Sequence, residues 1–142
     1  MKNHPRSLSR AWVRAVVLVG GIFYTLVGLA LLFAPDWFFN TIGNFPPFNR
    51  HYMGDLGSFT LPMGVGLVFA SRDPARHGFL IGAVVAANLL HAGNHVYDAI
   101  LGNQPISRWM MDSVPLLVFG VVFAVSFWKM TRLKVEGFQL ST

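Results

Sequence analysis

Four long apolar segments are the main constraint on how this chain can fold. A helix needs roughly 20 mostly apolar residues to cross a bilayer, and residues 11–34, 51–71, 79–101 and 113–130 meet that need. Of the 142 residues, 54% are hydrophobic and only 12% are charged, whereas soluble domains carry about 25% charged residues. We therefore expect an all-α protein, an integral membrane four-helix bundle built as a single four-span domain over residues 1–142.

Loop charge predicts the orientation of these spans. Cytoplasmic loops are enriched in Lys and Arg, and the basic residues alternate loop by loop as four spans require. One set comprises Lys2, Arg6, Arg10, Arg14, Arg72, Arg76, Lys129, Arg132 and Lys134, and the other comprises only Arg50 and Arg108. We therefore expect cytoplasmic N- and C-termini and a multi-pass protein of the cytoplasmic (inner) membrane. The net charge of +5 is mostly this signal, so no nucleic-acid partner is expected.

Proline and glycine predict where the helices end and where they approach each other. The first span should stop at Pro35, and residues 35–50 should form an aromatic outer segment that is not one helix, either a membrane-surface connector or a lid over a cavity. Asp73 and Pro74 fit an N-cap and a first helical position. Small residues predict close helix contacts; they are Gly20, Gly21, Gly28, Gly78, Gly82 and Ala86.

Polar side chains inside the spans indicate where a site would lie. On the third span Asn88, His91, His95 and Asp98 fall within an arc of about 80° at the helical period, and on the second span His51 heads a narrow stripe that is completed by Asp55, Ser58 and Pro62. Because polar groups in a bilayer are costly, such residues usually mark a functional site. The expected topology places both stripes at matching depths in the outer leaflet.

Metal binding is one chemistry that this pattern predicts. His91 and His95 are four residues apart, so one helix face presents two imidazoles, and Asp98, His51 and Asp55 could complete the ligand set. Histidine and carboxylate ligands suit Zn²⁺, Fe²⁺ or Mn²⁺. Haem bound by histidines on facing helices is an alternative. Without cysteine the chain has no disulfide and no thiolate ligand.

As function we favour a metal-dependent or acid/base enzyme acting on a lipophilic, lipid-like or quinone-like molecule from the membrane. The expected catalytic residues are His91, His95, Asp98 and Asp55, and the expected substrate-binding residues are Asn88, Asn94 and Tyr97. The apolar surroundings comprise Phe45, Phe48, Phe59 and Tyr97.

Two further readings of the polar residues stay open. In the first, carboxylates pair with histidine or arginine only to lock helices together, in a non-catalytic membrane subunit or accessory protein. In the second, the residues line a path for protons or small solutes.

Two motifs carry a family resemblance. The stretch FNRHYMGDLGSFTLPMGVGL (48–67), after the aromatic outer segment, and HAGNHVYD (91–98) resemble small bacterial four-helix membrane proteins of the DoxX-like kind. The resemblance implies a four-span fold. Some related proteins are linked to quinone-coupled sulfur oxidation or to redox complexes, but the lack of cysteine here argues against a thiol-dependent activity.

Overall fold

The computed structural model describes residues 5–43, 46–102 and 106–139, and these residues form five helices. The helices are α1 (Pro5–Phe33), α2 (Pro35–Thr41), α3 (Arg50–Ala70), α4 (Gly78–Leu101) and α5 (Ile106–Gln139). The prediction of an all-α fold is confirmed for the described part of the chain.

Four of these helices are long and apolar enough to cross a membrane. The segments are Ser9–Phe33, Arg50–Ala70, Gly78–Leu101 and Ser113–Arg132, each close to a span predicted from the sequence. This arrangement is consistent with a multi-pass membrane protein. The side of the membrane on which the termini lie stays a prediction.

The chain divides into two compact units. The first unit comprises residues 17–72, and the second comprises residues 1–16 together with 73–142. The boundaries fall within α1 and in the turn that follows α3. A single domain over the whole chain stays a prediction.

In the first unit, α1 and α3 approach each other at glycines. A Cβ atom added to Gly28 would lie 2.6 Å from the Leu61 backbone, and one added to Gly21 would lie 2.6 Å from the Val68 nitrogen. On α3, a Cβ on Gly64 would overlap the backbone of Thr25. The two backbones are thus too close for any side chain, which confirms the predicted close contact at Gly21 and Gly28.

The short helix α2 packs within the first unit. Phe39 is buried with Leu31 of α1 and Met53 of α3, and its ring meets Phe48 edge to face at 5.2 Å. α1 ends just before Pro35, as predicted, and α2 then begins at that proline. The outer segment is therefore not one helix, as expected, but its helical first half was not predicted. Phe45 lies outside the described residues.

In the second unit, α4 packs against α5 through side chains. A Cβ on Gly82 would lie 3.3 Å from the Phe127 ring, and one on Gly78 would lie 3.2 Å from the Met130 methyl. Both glycines therefore contact a neighbouring helix, as predicted. Ala86 is exposed instead, so the prediction was wrong for that residue.

The predicted span 79–101 begins within one residue of α4, but the predicted N-cap at Asp73 was wrong. The helix begins at Gly78 with His77 in the N-cap position, not at Pro74 after an Asp73 cap. The Arg76 N–H donates to the Asp73 carbonyl at 3.2 Å, and the His77 N–H donates to the Pro74 carbonyl at 3.1 Å. These three-residue turns occupy the groups that an earlier helix would have used, so the helix starts after them.

Candidate functional site

The polar stripe of α3 begins at the first turn of that helix. Asn49 caps the helix, since its side chain accepts a hydrogen bond from the Tyr52 N–H at 3.1 Å, and this fixes where His51 and Asp55 lie. His51 Nε2 is 3.5 Å from Asp55 Oδ2, and these side chains are 89% and 59% exposed. The contact becomes an ion pair when His51 is protonated. It lies within one helix and on its surface.

The stripe continues along α3 as the sequence predicted. Ser58 and Pro62 are exposed like His51 and Asp55, so the four residues share an accessible face. The Ser58 hydroxyl donates to the Gly54 carbonyl at 2.8 Å, a local bond that holds the side chain against its own helix.

The second half of α4 carries a pair of histidines in direct contact. His91 Nε2 and His95 Nε2 lie 3.1 Å apart, and the ring centroids are 4.9 Å apart with planes tilted by 42°. One ring nitrogen donates a hydrogen bond and the other accepts it, according to the tautomers. His91 is exposed and His95 is half-buried. The one-turn spacing therefore brings the two imidazoles together as predicted.

A second polar pair lies beside the histidines on the same helix. Asn94 Nδ2 donates to Asp98 Oδ2 at 3.1 Å, and both side chains are exposed. Tyr97 is exposed as well. The exposed part of this cluster thus presents imidazole, amide, carboxylate and phenol groups over two turns of α4.

Asn88 lies in a different environment from the other polar residues of α4. It is 2% exposed, its Nδ2 donates to the Val84 carbonyl at 2.9 Å, and its Cβ would lie 3.6 Å from a Cβ added to Gly120 of α5. The predicted arc of polar residues on α4 therefore extends from the buried surface of the helix, at Asn88, to its exposed surface. The role of Asn88 as a substrate ligand stays a prediction.

The histidine pair supplies two of the ligands that a metal site would need. Two nitrogens bound to one tetrahedral Zn²⁺ lie about 3.3 Å apart, close to the 3.1 Å observed. Among the described side chains, however, no group of three or more His, Cys, Asp or Glu is placed to hold a metal ion.

The full predicted ligand set stays a prediction. His51 and Asp55 belong to the first unit, whereas His91, His95 and Asp98 belong to the second.

Sequence reasoning missed one property of α4, namely the small residues on its exposed face. Ala83, Ala87, His91, Asn94 and Asp98 are all exposed and fall within about 80° of arc at the helical period. We call these five residues the open face of α4. The signal was present in the sequence, because Ala83 and Ala87 have the four-residue spacing typical of helix contacts in membranes.

Of the predicted aromatic surroundings, Phe48, Phe59 and Tyr97 are all exposed. The side chain of Arg108, one of the two basic residues expected on the outer side, lies outside the described part of the structure.

No family model, curated protein or solved structure matches this chain. The resemblance to DoxX-like proteins therefore stays a prediction.

Proposed function

We propose that this protein is a membrane-embedded enzyme that uses acid/base chemistry on a lipophilic molecule, lipid-like or quinone-like, which reaches α4 from the bilayer. The observation that carries this proposal is the contact between His91 Nε2 and His95 Nε2 at 3.1 Å on an accessible part of an apolar helix. Histidine exchanges protons near neutral pH, which suits a general acid or base.

The local bonds of Asp55 and Asp98 favour a functional role for these carboxylates over a helix lock. Asp55 contacts His51, and Asp98 accepts from Asn94, in each case four residues away on the same helix. A lock requires bonds that run from one helix to another. Within the described side chains these carboxylates orient neighbours on their own helix, which is what a preorganised site needs.

Each residue has a proposed role that follows from its position. A hydrogen bond between two neutral imidazoles leaves one ring able to accept a proton from a substrate hydroxyl while the other donates. Asp98 holds the Asn94 amide, and that amide binds a polar group of the substrate. Tyr97 contributes an apolar ring and a hydroxyl at the same level of the helix.

Depth along α4 agrees with a substrate that moves in the bilayer. His91 is ten residues before Leu101, where α4 ends, or about 15 Å along the axis, which is half of a hydrocarbon core of about 30 Å. In the orientation proposed here, with both termini cytoplasmic in the inner membrane, the cluster runs from the outer interface to mid-depth.

A metal-dependent form of the same proposal uses His91 and His95 as ligands. In that form Asp98 would complete the site for zinc, iron or manganese, and the metal would supply a Lewis acid. Metal analysis of the purified chain, with an absorption spectrum for haem, distinguishes this form from acid/base chemistry.

The test is a comparison of two purified proteins on a complex substrate pool. Wild type and His91→Gln/His95→Gln are each incubated with a total bacterial lipid extract, and the extract is analysed by mass spectrometry. We expect the wild type to convert at least one lipophilic component and the double variant to lose that conversion by at least about a hundredfold, the usual size of acid/base catalysis.

His77→Gln is the matched control, because His77 is an exposed histidine before the start of α4. It should keep the conversion. An extract left unchanged by the wild type, or converted equally by the double variant, would count against the enzyme.

The second candidate function is a non-catalytic membrane subunit, and the open face of α4 is the observation that favours it. Small residues with nearby polar groups associate in membranes, and a second copy would bring the same face at the same depth. Because the chain lacks cysteine, an Ala87→Cys variant reports such contact directly. A disulfide-linked dimer in native membranes supports this candidate, and an Ile100→Cys variant, exposed on the same helix, is the control.

A further inference from the structure

We propose that the second unit carries a binding site for the headgroup of an anionic phospholipid, formed by Trp12, Trp128, Lys129 and Arg132. This inference is independent of the proposed enzyme, since it concerns a different end of the unit and a different set of residues. We call these four residues the tryptophan–cation patch.

Two cations in the patch are held by indole rings. Lys129 Nζ lies 5.7 Å from the centre of the Trp12 ring, and the Arg132 guanidinium carbon lies 4.4 Å from the centre of the Trp128 ring. Both distances are in the range of cation–π attraction. The first contact joins the start of α1 to α5, and the second lies within α5.

The two cations belong to one surface. Lys129 and Arg132 are three residues apart on a helix, so their side chains lie on neighbouring positions. Among the described side chains neither makes an ion pair with a carboxylate. An ammonium offers three donors and a guanidinium five, more than an indole face uses, so donors remain for phosphate oxygens.

The patch lies at the depth of lipid headgroups. Trp12 is in the first turn of the segment Ser9–Phe33, and Trp128, Lys129 and Arg132 are among the last five residues of Ser113–Arg132. Tryptophan prefers the membrane–water boundary. Each indole is about half exposed, so lipid reaches the rings that position the cations.

The positive charge around the tryptophan–cation patch favours an anionic headgroup over a zwitterionic one. The same end of the unit holds further cations, Arg10 and Arg14 near the start of α1 and Arg76 just before α4, and α4 begins beside Met130 of α5. A zwitterionic headgroup gains little from such a surface, whereas an anionic one gains about fivefold in affinity for each cation near it. Cations fixed over rings also lose less side-chain freedom on binding.

Quenching of tryptophan by brominated lipids tests the site in the full chain. The chain, with Trp37→Phe and Trp109→Phe so that only the patch tryptophans emit, is reconstituted in phosphatidylcholine vesicles. These vesicles contain a minor fraction of brominated phosphatidylglycerol or brominated phosphatidylcholine. We expect half-maximal quenching at a much lower fraction of the anionic lipid than of the zwitterionic one.

Removing the two cations should remove that preference. In Lys129→Gln/Arg132→Gln the fraction of anionic lipid needed for half-maximal quenching should rise about thirtyfold. Arg50→Gln/Arg108→Gln also removes two positive charges, but outside the patch, and should leave the preference unchanged. If Lys129→Gln/Arg132→Gln does not fold, Lys129→Arg provides the second test, because it keeps the charge and should keep the preference.

Three results would overturn the proposal. They are equal quenching of the wild type by both brominated lipids, a preference kept by Lys129→Gln/Arg132→Gln, and loss of the wild-type preference on adding inorganic phosphate. The last result would identify free phosphate, and not a lipid, as the ligand.

Discussion

The two units of this protein build helix contacts in different ways. In the first unit α1 and α3 meet backbone to backbone, and a methyl group at Gly28 would lie 2.6 Å from Leu61. In the second unit α4 and α5 meet through side chains, and a methyl group at Gly120 would find its nearest neighbour, Leu89, at 3.5 Å. There is no space for a methyl group at Gly28, whereas there is space for one at Gly120.

This difference has a physical meaning for the polar residues. A backbone contact fixes the distance between two helices, because no side chain can adjust to absorb a change. A side-chain contact can adjust. One face of α4 makes such a contact with α5, and its open face carries His91, Asn94 and Asp98. The unit with the adaptable contact is thus the one whose helix presents the histidine pair.

The largest effect is expected from a methyl group in the first unit. Gly28→Ala should destabilise the protein by at least about 2 kcal/mol, because the new atom meets main-chain atoms that cannot rotate away. Thermal unfolding of the purified protein in detergent measures this as a lower Tm.

Gly93→Ala is the matched control for that substitution. Nothing lies within 4 Å of a Cβ atom at Gly93, and alanine is the better helix former by about 1 kcal/mol. Equal Tm values for Gly28→Ala and Gly93→Ala would refute the backbone contact.

A smaller effect of opposite sign is expected in the second unit. Gly120→Ala should increase the free energy of unfolding by up to about 1 kcal/mol and so raise the Tm slightly, because the added methyl group makes ordinary contacts and alanine has the higher helix propensity. The change in Tm for Gly82→Ala should be near zero, because its methyl group would be 3.3 Å from the Phe127 ring and the ring must shift slightly. A loss as large as that of Gly28→Ala would remove the distinction between the units.

The smallest effect on stability is expected at the two polar pairs. His51→Gln/Asp55→Asn should leave the Tm unchanged, because an exposed pair on one helix gains little from its charge. His91→Gln/His95→Gln should also leave the Tm nearly unchanged while it abolishes the proposed conversion. A fall in Tm for the second variant, with no fall for the first, would indicate that the histidine pair holds helices together.

Much of the fold could be predicted from apolar length and helix breakers. The four spans, the end of α1 before Pro35 and the glycine contacts at Gly21 and Gly28 all follow from local chemistry. The N-cap of α4 could not be predicted, because the turns at Asp73 and Pro74 differ from a first helical turn by only a few hydrogen bonds. α2 was missed because its packing partners lie on other helices.

The candidate site was predictable within α4 but not beyond it. The one-turn spacing places His91 against His95 and Asn94 against Asp98, as helical geometry requires. Periodicity alone could not distinguish Asn88 from these residues, because the helical period does not show which part of the arc contacts a neighbouring helix. Contact with α5 at Gly120 is what buries that amide.

The contact between Asn88 and Gly120 also restricts the register of α4 against α5. If α5 slid by one residue, Phe119 or Val121 would replace the glycine opposite the buried amide, and neither leaves space for it. A shift of one residue between the two helices is therefore disfavoured at this point. The same alignment sets the level of the histidine pair along α5, one turn further on.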